Sequence, residues 1–499
     1  MRLLAEQAFS RAAGAPLVEG NAVDLLIDAR VNFDAWLAAI RAARSLILFE
    51  NYIFHDDEIV REFRTALTER AESGVRVCLI RDWLGCLGQS RLGFWQPLIA
   101  AGGEVRTYNP PRFISPFGWL SRDHRKLLVV DNTVAFLGGI CVSRSWLGDA
   151  ERNIAPWRDT AVAVRGPALR DLAMSFADTW ATLGEALPDD VLASTEHCLS
   201  AGTVDLRVVA TVPNTAGLYR LDQLIAAMAR RSLWITDAYF VGVAPYVQAL
   251  SAAARDGVDV RLLVPGTSDI PAVAAISRAG YRPLLEAGIR VFEWNGSMLH
   301  AKTAVADSRW ARVGSSNLNL SSWIGNCELD VAIEDEAFAQ RMEAQYETDL
   351  GNATEIVLKL PRRWRKVRAD APAQPPAAGA PTAAENETSI DAKDSAAPKW
   401  SPASPRVGPP YPRARGGSSG RAAAGALRLA NSVGAAIANR RVLGRTESGP
   451  LLASGVLLIG SAMIAVCWPR LLVWPFAAIT FWLGTSLIAR YIASFKQKQ

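Results

Sequence analysis

The sequence predicts an α/β protein of two repeated α/β/α sandwich domains, packed about a pseudo-two-fold axis and followed by C-terminal membrane helices. Three observations support this fold class. One strand–helix–strand pattern occurs at residues 40–82 and again at 225–266. A histidine-centred motif occurs once in each half of the first 365 residues, and two long apolar runs lie near the C-terminus. Alternation of strands and helices favours parallel strand pairing, which is typical of the α/β class.

The two halves align with an offset that shortens slightly along the chain. Ser45 corresponds to Ser232, and Gly74 corresponds to Gly257. Small loop deletions after a duplication would produce this drift. The sequence therefore predicts one repeat over residues 1–198 and a second over 199–365.

Each half contains a histidine, a lysine and an aspartate at identical spacing. The members are His124, Lys126 and Asp131 in the first half, and His300, Lys302 and Asp307 in the second. A lone histidine in an apolar run is more often a core residue, but two unrelated core histidines would not share the same companions in register. Residues two apart in a strand face the same side, so each histidine should point with its lysine into one space. If the repeats pack face to face, all four side chains converge on one pocket.

Two histidines and two lysines in one pocket suit a phosphodiester. The lysines would neutralise the non-bridging oxygens, one imidazole would attack phosphorus, and the other would protonate the leaving alkoxide. No cofactor and no metal are expected, since the sequence shows no cluster of ligands at metal-binding spacing. The six cysteines form no CxxC pair, which favours a reducing compartment, and the net charge of +5 fits anionic partners without indicating nucleic acid.

The paired HxKxxxxD motifs, over about residues 20–360, resemble the phospholipase D superfamily. The segments "DWLG" at 82–85 and "APWRDTAVAVRGPAL" after the first motif resemble bacterial cardiolipin synthases, in particular the shorter branch without an N-terminal membrane hairpin. "GSSNLNLSSWIGNCELDVAI" resembles the tail of the family's second motif. The resemblance implies a phosphatidyltransferase that passes a phosphatidyl group through a phosphohistidine to an alcohol headgroup such as phosphatidylglycerol.

Three alternatives stay open at this point. A hydrolytic phospholipase D would use the same chemistry with water as acceptor. A nuclease of the superfamily would carry an extended basic and aromatic groove, which the sequence does not show. A membrane scaffold without activity is disfavoured because both motifs are intact. Phospholipid and membrane are therefore the expected partners, and nucleic acid is not.

The resemblance also assigns roles to the motif residues. His124 would be the nucleophile, and His300 the general acid and then the base. Lys126 and Lys302 would bind phosphate. The remaining candidates are Ser315 and Asn317 as phosphate-binding helpers, Gly139 as a small residue beside the histidine, Asp159 and Glu328 as carboxylates that orient the imidazoles, and Asp131 and Asp307 as braces of the hairpins.

Two positions depart from the family pattern. Cys141 occurs where many relatives have asparagine, and "NLNLSS" follows Gly-Ser-Ser where Asp and Arg are common after the first Asn. Both departures could change the choice of acceptor, and neither removes a catalytic group. The other two histidines, His55 and His197, are expected in loops or on the surface.

The C-terminal third raises the question of membrane attachment. Residues 366–420 are rich in Pro, Ala, Gly and Ser, which predicts a disordered linker. Residues 421–445 predict a basic helix that lies on a membrane surface or is solvated. The apolar runs 451–468 and 471–489 predict a helical hairpin over 449–490 that spans the bilayer or enters it partway. Basic residues flank both ends, so we expect a cell inner membrane protein with a cytoplasmic catalytic part.

Two further expectations concern segments outside the motifs. The aromatic and proline-rich stretch from Phe113 to Trp119, just before the first motif, is expected to form a loop at the mouth of the pocket that meets acyl chains. The N-terminal stretch contains Glu6 and Arg11 and no long apolar core, so no signal peptide is expected.

Overall fold

The computed structural model describes residues 2–88, 92–111, 120–188, 191 and 199–358, together with the single positions Met463 and Phe481. Apart from these two positions, the predicted linker, the basic helix and the apolar hairpin lie outside the described residues. The predicted loop from Phe113 to Trp119 and His197 also lie outside them. Within the part of the chain that the structure describes, no helix combines the length and apolar character needed to cross a bilayer.

Fifteen strands occur in the described residues. They are β1 (Val18–Ile27), β2 (Leu46–Asn51), β3 (Arg76–Asp82), β4 (Glu104–Tyr108), β5 (Lys126–Val130), β6 (Val134–Gly138), β7 (Thr160–Arg165), β8 (Val204–Thr211), β9 (Ser232–Thr236), β10 (Asp259–Pro265), β11 (Arg290–Trp294), β12 (Thr303–Ala306), β13 (Trp310–Gly314), β14 (Glu328–Glu334) and β15 (Ala353–Ile356).

The strands follow the hydrogen-bonded order β15-β11-β10-β9-β12-β13-β14-β8-β1-β7-β6-β5-β2-β3-β4. The order is the same in both directions from the centre. In the first half, β1 is followed by β7, β6, β5, β2, β3 and β4. In the second half, β8 is followed by the equivalent strands β14, β13, β12, β9, β10 and β11. The trio β2–β3–β4 is parallel, as is β9–β10–β11, while the motif strands pair in antiparallel fashion. The prediction of an α/β fold is confirmed, with a mixed rather than an all-parallel sheet.

Eleven α-helices pack on these strands in the described residues. They are α1 (Arg2–Ala13), α2 (Asp28–Ala42), α3 (Glu58–Glu72), α4 (Gln96–Ala100), α5 (Arg144–Leu147), α6 (Leu169–Thr182), α7 (Gly217–Met228), α8 (Ala244–Arg255), α9 (Pro271–Ala279), α10 (Tyr281–Glu286) and α11 (Glu336–Leu350). A short 3₁₀ helix (Leu92–Trp95) and a π-helical turn (Ser321–Gly325) complete the set.

The helices divide the apolar core into three layers. Helices α2 and α3 cover the outer face of the first half, and α7 and α8 cover the outer face of the second. Helices α6 and α11 lie in a central core to which strands of both halves contribute. Helix α3 shows why these segments are helical: Val60, Phe63 and Leu67 fall at three and four spacing and are buried, and Asp57 caps the first turn.

The first helix packs on the second half of the fold. Phe9 and Ala13 of α1 belong to the same apolar cluster as Leu218 and Leu221 of α7. Sequence proximity would assign this segment to the first repeat, but its apolar face is buried against the second. The boundary between residues 1–198 and 199–365 stays a prediction. Helix α1 belongs to the first repeat by sequence but packs on the second.

The two motif aspartates close equivalent hairpins. Asp131 and Asn132 both have positive φ, and Thr133 N–H donates to Val130 O at 3.0 Å, which is a type I′ turn. The Asp131 carboxylate accepts the N–H groups that begin β2, including Leu46 N–H at 2.8 Å. Burial raises the pKa of this carboxyl, but these N–H donors outweigh burial and hold its pKa below the ordinary range.

Asp307 repeats the arrangement in the second half. Its carboxylate accepts N–H donors from Arg230, Arg231 and Ser232 at the start of β9. Each aspartate therefore lies at the end of its hairpin remote from the motif histidine. The geometry suits a brace that fixes the hairpin to the neighbouring parallel strand.

Candidate active site

Strand direction places both histidine–lysine pairs at one edge of the fold. Lys126, the first residue of β5, pairs with Asn51, the last residue of β2. Thr303, the first residue of β12, pairs with Thr236, the last residue of β9. The motif histidines precede these antiparallel strands, so they lie at the carboxyl ends of the parallel strands β2, β3, β9 and β10. We call this side of the fold the catalytic edge.

Two short backbone bridges join the repeats at this edge. Asp123 forms a parallel bridge with Cys327, and Arg158 forms one with Leu299. The backbone N–H of His124 donates to Cys327 O at 2.9 Å. The N–H of His300 donates to Arg158 O at 2.8 Å. The first bridge therefore places His124 beside Glu328, which follows Cys327. The second places His300 beside Asp159, which follows Arg158.

As a result, each imidazole contacts a carboxylate from the opposite half. His124 Nδ1 lies 2.9 Å from Glu328 Oε2, and His300 Nδ1 lies 2.9 Å from Asp159 Oδ2. A carboxylate accepts hydrogen bonds, so Nδ1 carries the proton and each Nε2 keeps its lone pair. The site is thus assembled only when the two repeats are packed together. The sequence analysis named both carboxylates, but it did not indicate that each one bonds to the histidine of the opposite repeat.

The two carboxylates are held in different ways. Ser315 Oγ donates to Glu328 at 2.6 Å, whereas Trp146 Nε1 donates to Asp159 at 2.8 Å. Gly139 stands at the motif position that corresponds to Ser315, and a Cβ there would lie 2.2 Å from Asp159 Oδ1. The glycine therefore makes room for the aspartate, and an indole N–H takes the place of the missing hydroxyl.

The motif lysines are fully buried beside the histidines. Lys302 Nζ lies 2.9 and 3.0 Å from the two ring nitrogens of His300, and Lys126 Nζ bonds to the backbone oxygen of His124. No carboxylate bonds to either ammonium group in the described residues. A buried ammonium group that no carboxylate bonds directly favours a bound anion, and a phosphodiester fits this charge.

A tyrosine stands next to each pair, and the sequence reasoning missed both. The Tyr52 ring centroid lies 4.9 Å from that of His124, and the Tyr239 ring lies 5.7 Å from that of His300. Both tyrosines follow the first parallel strand of their repeat, so they occupy equivalent positions in the aligned halves. Recurrence at equivalent positions was the signal that could have found them.

Burial and the lysines favour the neutral form of both histidines. Burial lowers the pKa of His124, against the pull of Glu328. Burial and then Lys302 lower the pKa of His300 from its ordinary 6.5 to about 3. Burial lowers the pKa of Lys302 to about 8. Burial opposes ionisation of Asp159, but its hydrogen bond from His300 and the adjacent lysine hold its pKa below the ordinary range.

The other predicted residues differ in their environments. Asn317 is buried, and its Oδ1 has no hydrogen-bond partner in the described residues. Cys141 takes the corresponding place in the first repeat, and burial raises the pKa of its thiol to about 11. His55 lies half-buried in the loop after β2, with Nδ1 2.9 Å from Ser143 Oγ. Among the described residues, no group of three or more His, Cys, Asp or Glu side chains could hold a metal ion.

A sizeable cavity lies elsewhere in the fold. It has a volume of about 740 Å³ and is lined by Asp131, Arg76 and Leu199 among others, at the edge opposite the motif histidines. None of the motif histidines or lysines lines it. The chemistry of the motif side chains, rather than cavity size, locates the candidate site.

Comparison with known proteins agrees with this geometry. A family described as "Cardiolipin synthase, PLD-like domain" matches residues 36–163 and 222–350, which covers both repeats. Cardiolipin synthase A of Pseudomonas fluorescens (strain SBW25) is 34% identical over 363 residues, 71% of this chain and 73% of that relative. Cardiolipin synthase of Clostridium perfringens (strain 13 / Type A) is 33% identical over 350 residues, 68% of this chain and 72% of that relative.

A solved structure supports the same fold. The phosphatidylserine synthase of Haemophilus influenzae Rd KW20 superposes with a TM-score of 0.53 over 73% of this chain and 96% of its own, at 14% identity. Identity this low shows the fold alone. The sequence matches confirm the predicted resemblance and the predicted class of enzyme, a phospholipase D-like phosphatidyltransferase. The chain belongs to the family of cardiolipin synthase, phospholipase D-like domains within the phospholipase D superfamily.

Proposed function

We propose that this protein is a membrane-bound phosphatidyltransferase of the cardiolipin synthase type. It would transfer a phosphatidyl group through a phosphohistidine to an alcohol headgroup such as that of phosphatidylglycerol. The observation that carries the proposal is the pair of Nδ1–carboxylate bonds, which keep the proton on Nδ1 and leave a lone pair on each Nε2, with a buried lysine beside each histidine. The similarity to cardiolipin synthases supports the choice of lipid over other phosphodiesters.

In the first half-reaction, Lys126 and Lys302 bind the non-bridging oxygens of the donor phosphodiester. His124 Nε2 attacks phosphorus, and the bond from phosphorus to the leaving alkoxide breaks. His300 gives its Nε2 proton to that alkoxide. The bound anion offsets the lysine charges that depress the pKa of His300, so the substrate itself favours the imidazolium that the step requires.

In the second half-reaction, His300 acts as the base. It takes the proton of the acceptor hydroxyl, whose oxygen attacks phosphorus and displaces His124. Glu328 faces the Nδ1–H of His124 throughout, so its negative charge stabilises the imidazole ring while it carries the phosphoryl group. The two lysines hold the phosphate oxygens in both steps, and His124 returns to its neutral form.

The test is to trap the covalent intermediate. Brief incubation with phosphatidylglycerol labelled in its phosphate should label the protein at His124 through an acid-labile, base-stable bond. His124→Ala should abolish the label. His300→Ala should slow both formation and breakdown by about 10²–10⁴-fold. His55→Ala is the matched control, because this histidine bonds to Ser143 and should leave labelling unchanged. Label that persists in His124→Ala and vanishes in His300→Ala would reverse the two roles.

Hydrolysis is the second candidate, because water can attack the same intermediate. Both motif histidines are nearly buried, His124 being 9% and His300 4% exposed, and this favours an acceptor delivered from a lipid surface over bulk water. With phosphatidylglycerol as the sole lipid, we therefore expect mainly cardiolipin. If phosphatidic acid were the main product at high phosphatidylglycerol density, the protein would be a hydrolase and the transferase proposal would be wrong.

A further inference from the structure

Exposed aliphatic side chains lie on segments at the catalytic edge, and we call this set the apolar rim. It consists of six large aliphatic side chains that are 42% to 60% exposed: Leu87, Leu120, Ile154, Ile270, Leu320 and Ile324. Each repeat contributes three of them. Leu87 follows β3 and Ile270 follows β10, which are equivalent parallel strands of the two halves. Because parallel strands end at the catalytic edge, both residues lie on that edge.

The other rim residues precede the strands that carry the site. Leu120 lies shortly before β5, Ile154 before β7, and Leu320 and Ile324 before β14. These strands begin at the catalytic edge, as β7 does, whose second residue Ala161 pairs with Gly138, the last residue of β6. The whole rim therefore lies on the side of the fold where the histidines and lysines converge.

Hydrogen bonds connect the rim segments of the first repeat to the site. Asp82 caps the turn that leads to Leu87, and its second carboxylate oxygen accepts the N–H of Asp123, the neighbour of His124, at 3.0 Å. Ser121 Oγ donates to Gly325 O at 2.7 Å, which joins the segments of Leu120 and Ile324 across the repeats. This bond fixes one rim segment of the first half beside one of the second.

The second repeat is connected in the same way. Tyr239, whose ring lies against His300, donates its hydroxyl hydrogen to Asp269 Oδ1 at 2.8 Å, next to Ile270. Ser297 Oγ donates to Pro156 O at 2.6 Å, two residues from Ile154. Each apolar side chain therefore stands on a segment whose neighbours contact the candidate catalytic residues or the other repeat.

We propose that the apolar rim inserts into the surface of a phospholipid bilayer and seats the mouth of the site on it. The choice of lipid as the occupant rests on the proposed function. A second protein on this rim would cover the mouth and block the substrate. A bilayer on the rim delivers a phosphodiester to the buried lysines while its acyl chains stay in the membrane, and the aliphatic side chains displace water from around the mouth.

Exposed aliphatic residues at the opposite edge provide matched controls. Leu199, which is 84% exposed, precedes β8 and lines the cavity beside Asp131. Val357, which is 75% exposed, follows Ile356, and Ile356 pairs with Val291 near the start of β11. Both lie away from the catalytic edge, so neither should meet the bilayer when the rim is seated on it.

The first test needs no turnover. A diazirine-bearing aliphatic amino acid replaces Leu120, Leu320, Leu199 or Val357 in the full-length His124→Ala protein, bound to phosphatidylglycerol vesicles. After illumination, mass spectrometry should find lipid adducts at Leu120 and Leu320 in about tenfold excess over the two controls. Equal lipid adducts at both edges, or adducts of the rim positions with protein instead of lipid, would overturn the proposal.

The second test separates the rim from the catalytic machinery. Leu120→Asp with Leu320→Asp should lower turnover of phosphatidylglycerol vesicles by about tenfold or more, and should change turnover of a monomeric short-chain phosphodiester less than about twofold. Leu199→Asp with Val357→Asp should leave both unchanged. Equal loss on both substrates would overturn the proposal. If the wild-type protein turns over neither substrate but shows the expected lipid adducts, the proposed function is refuted, while the insertion of the rim into the bilayer is supported.

Discussion

The exchange of carboxylates between the repeats leads to the sharpest prediction. Glu328 and His124 are 204 positions apart, yet Glu328→Gln should impair the covalent step at His124. Oε2 of Glu328 accepts from both His124 Nδ1 and Ser315 Oγ, and Oε1 accepts from Asn326 Nδ2 at 3.2 Å. A glutamine keeps the volume but has only one acceptor oxygen.

Both orientations of that glutamine are harmful. If its oxygen faces His124, its NH₂ group meets the Asn326 amide donor. If its NH₂ group faces His124, Nδ1 must become the acceptor, the proton moves to Nε2, and the nucleophilic lone pair is lost. In either case the negative charge that stabilises the phosphorylated ring is gone. We expect phosphohistidine formation to slow by about 10²–10⁴-fold, the range for a lost acid–base or tautomer-fixing group.

The assay is rapid-quench trapping of labelled His124 with saturating phosphatidylglycerol. The control is Glu334→Gln, which removes a carboxylate from the far end of the same strand, where it pairs with Arg207. This variant should label at close to the wild-type rate. Asp159→Asn should slow both formation and breakdown of the label, because both steps need His300. A wild-type rate of labelling in Glu328→Gln would refute the cross-repeat pairing as the functional one.

Three further predictions follow from the same site. In the unfolded chain His300 binds a proton below pH 6.5, whereas in the folded protein it does so only near pH 3. The free energy of unfolding should therefore fall with decreasing pH in this window by up to about 1.4 kcal/mol per pH unit, and urea titrations of His300→Gln should show a shallower fall. An unchanged slope would contradict a buried neutral imidazole. Gly139→Ala should cost about 1–3 kcal/mol of stability and most activity, since its Cβ would strike Asp159, whereas Gly93→Ala, in open space, should be neutral in both assays. Turnover should be unchanged in EDTA because the motif lysines supply the positive charge. A complete loss of turnover that a divalent ion restores would contradict this mechanism.

Local pattern was sufficient for the repeat and for the residues of the motif. Strand–helix–strand alternation gave the α/β class, and period-two spacing placed His124 with Lys126 and His300 with Lys302. The sequence did not predict the mixed sheet order or the packing of α1 on the second half. These depend on which apolar faces are available in the assembled fold, and no local spacing records that.

The sequence by itself therefore identified the candidate groups of the site: the repeated motif indicated two imidazoles and two ammonium groups, and the resemblance to the phospholipase D superfamily added two carboxylates. Only the tertiary structure decided which carboxylate serves which histidine. The bridges Asp123–Cys327 and Arg158–Leu299 cross the boundary between the repeats, so Glu328 belongs to His124. A hydrogen bond between residues far apart in sequence leaves no periodic trace, because its geometry arises only when the two halves have folded and packed.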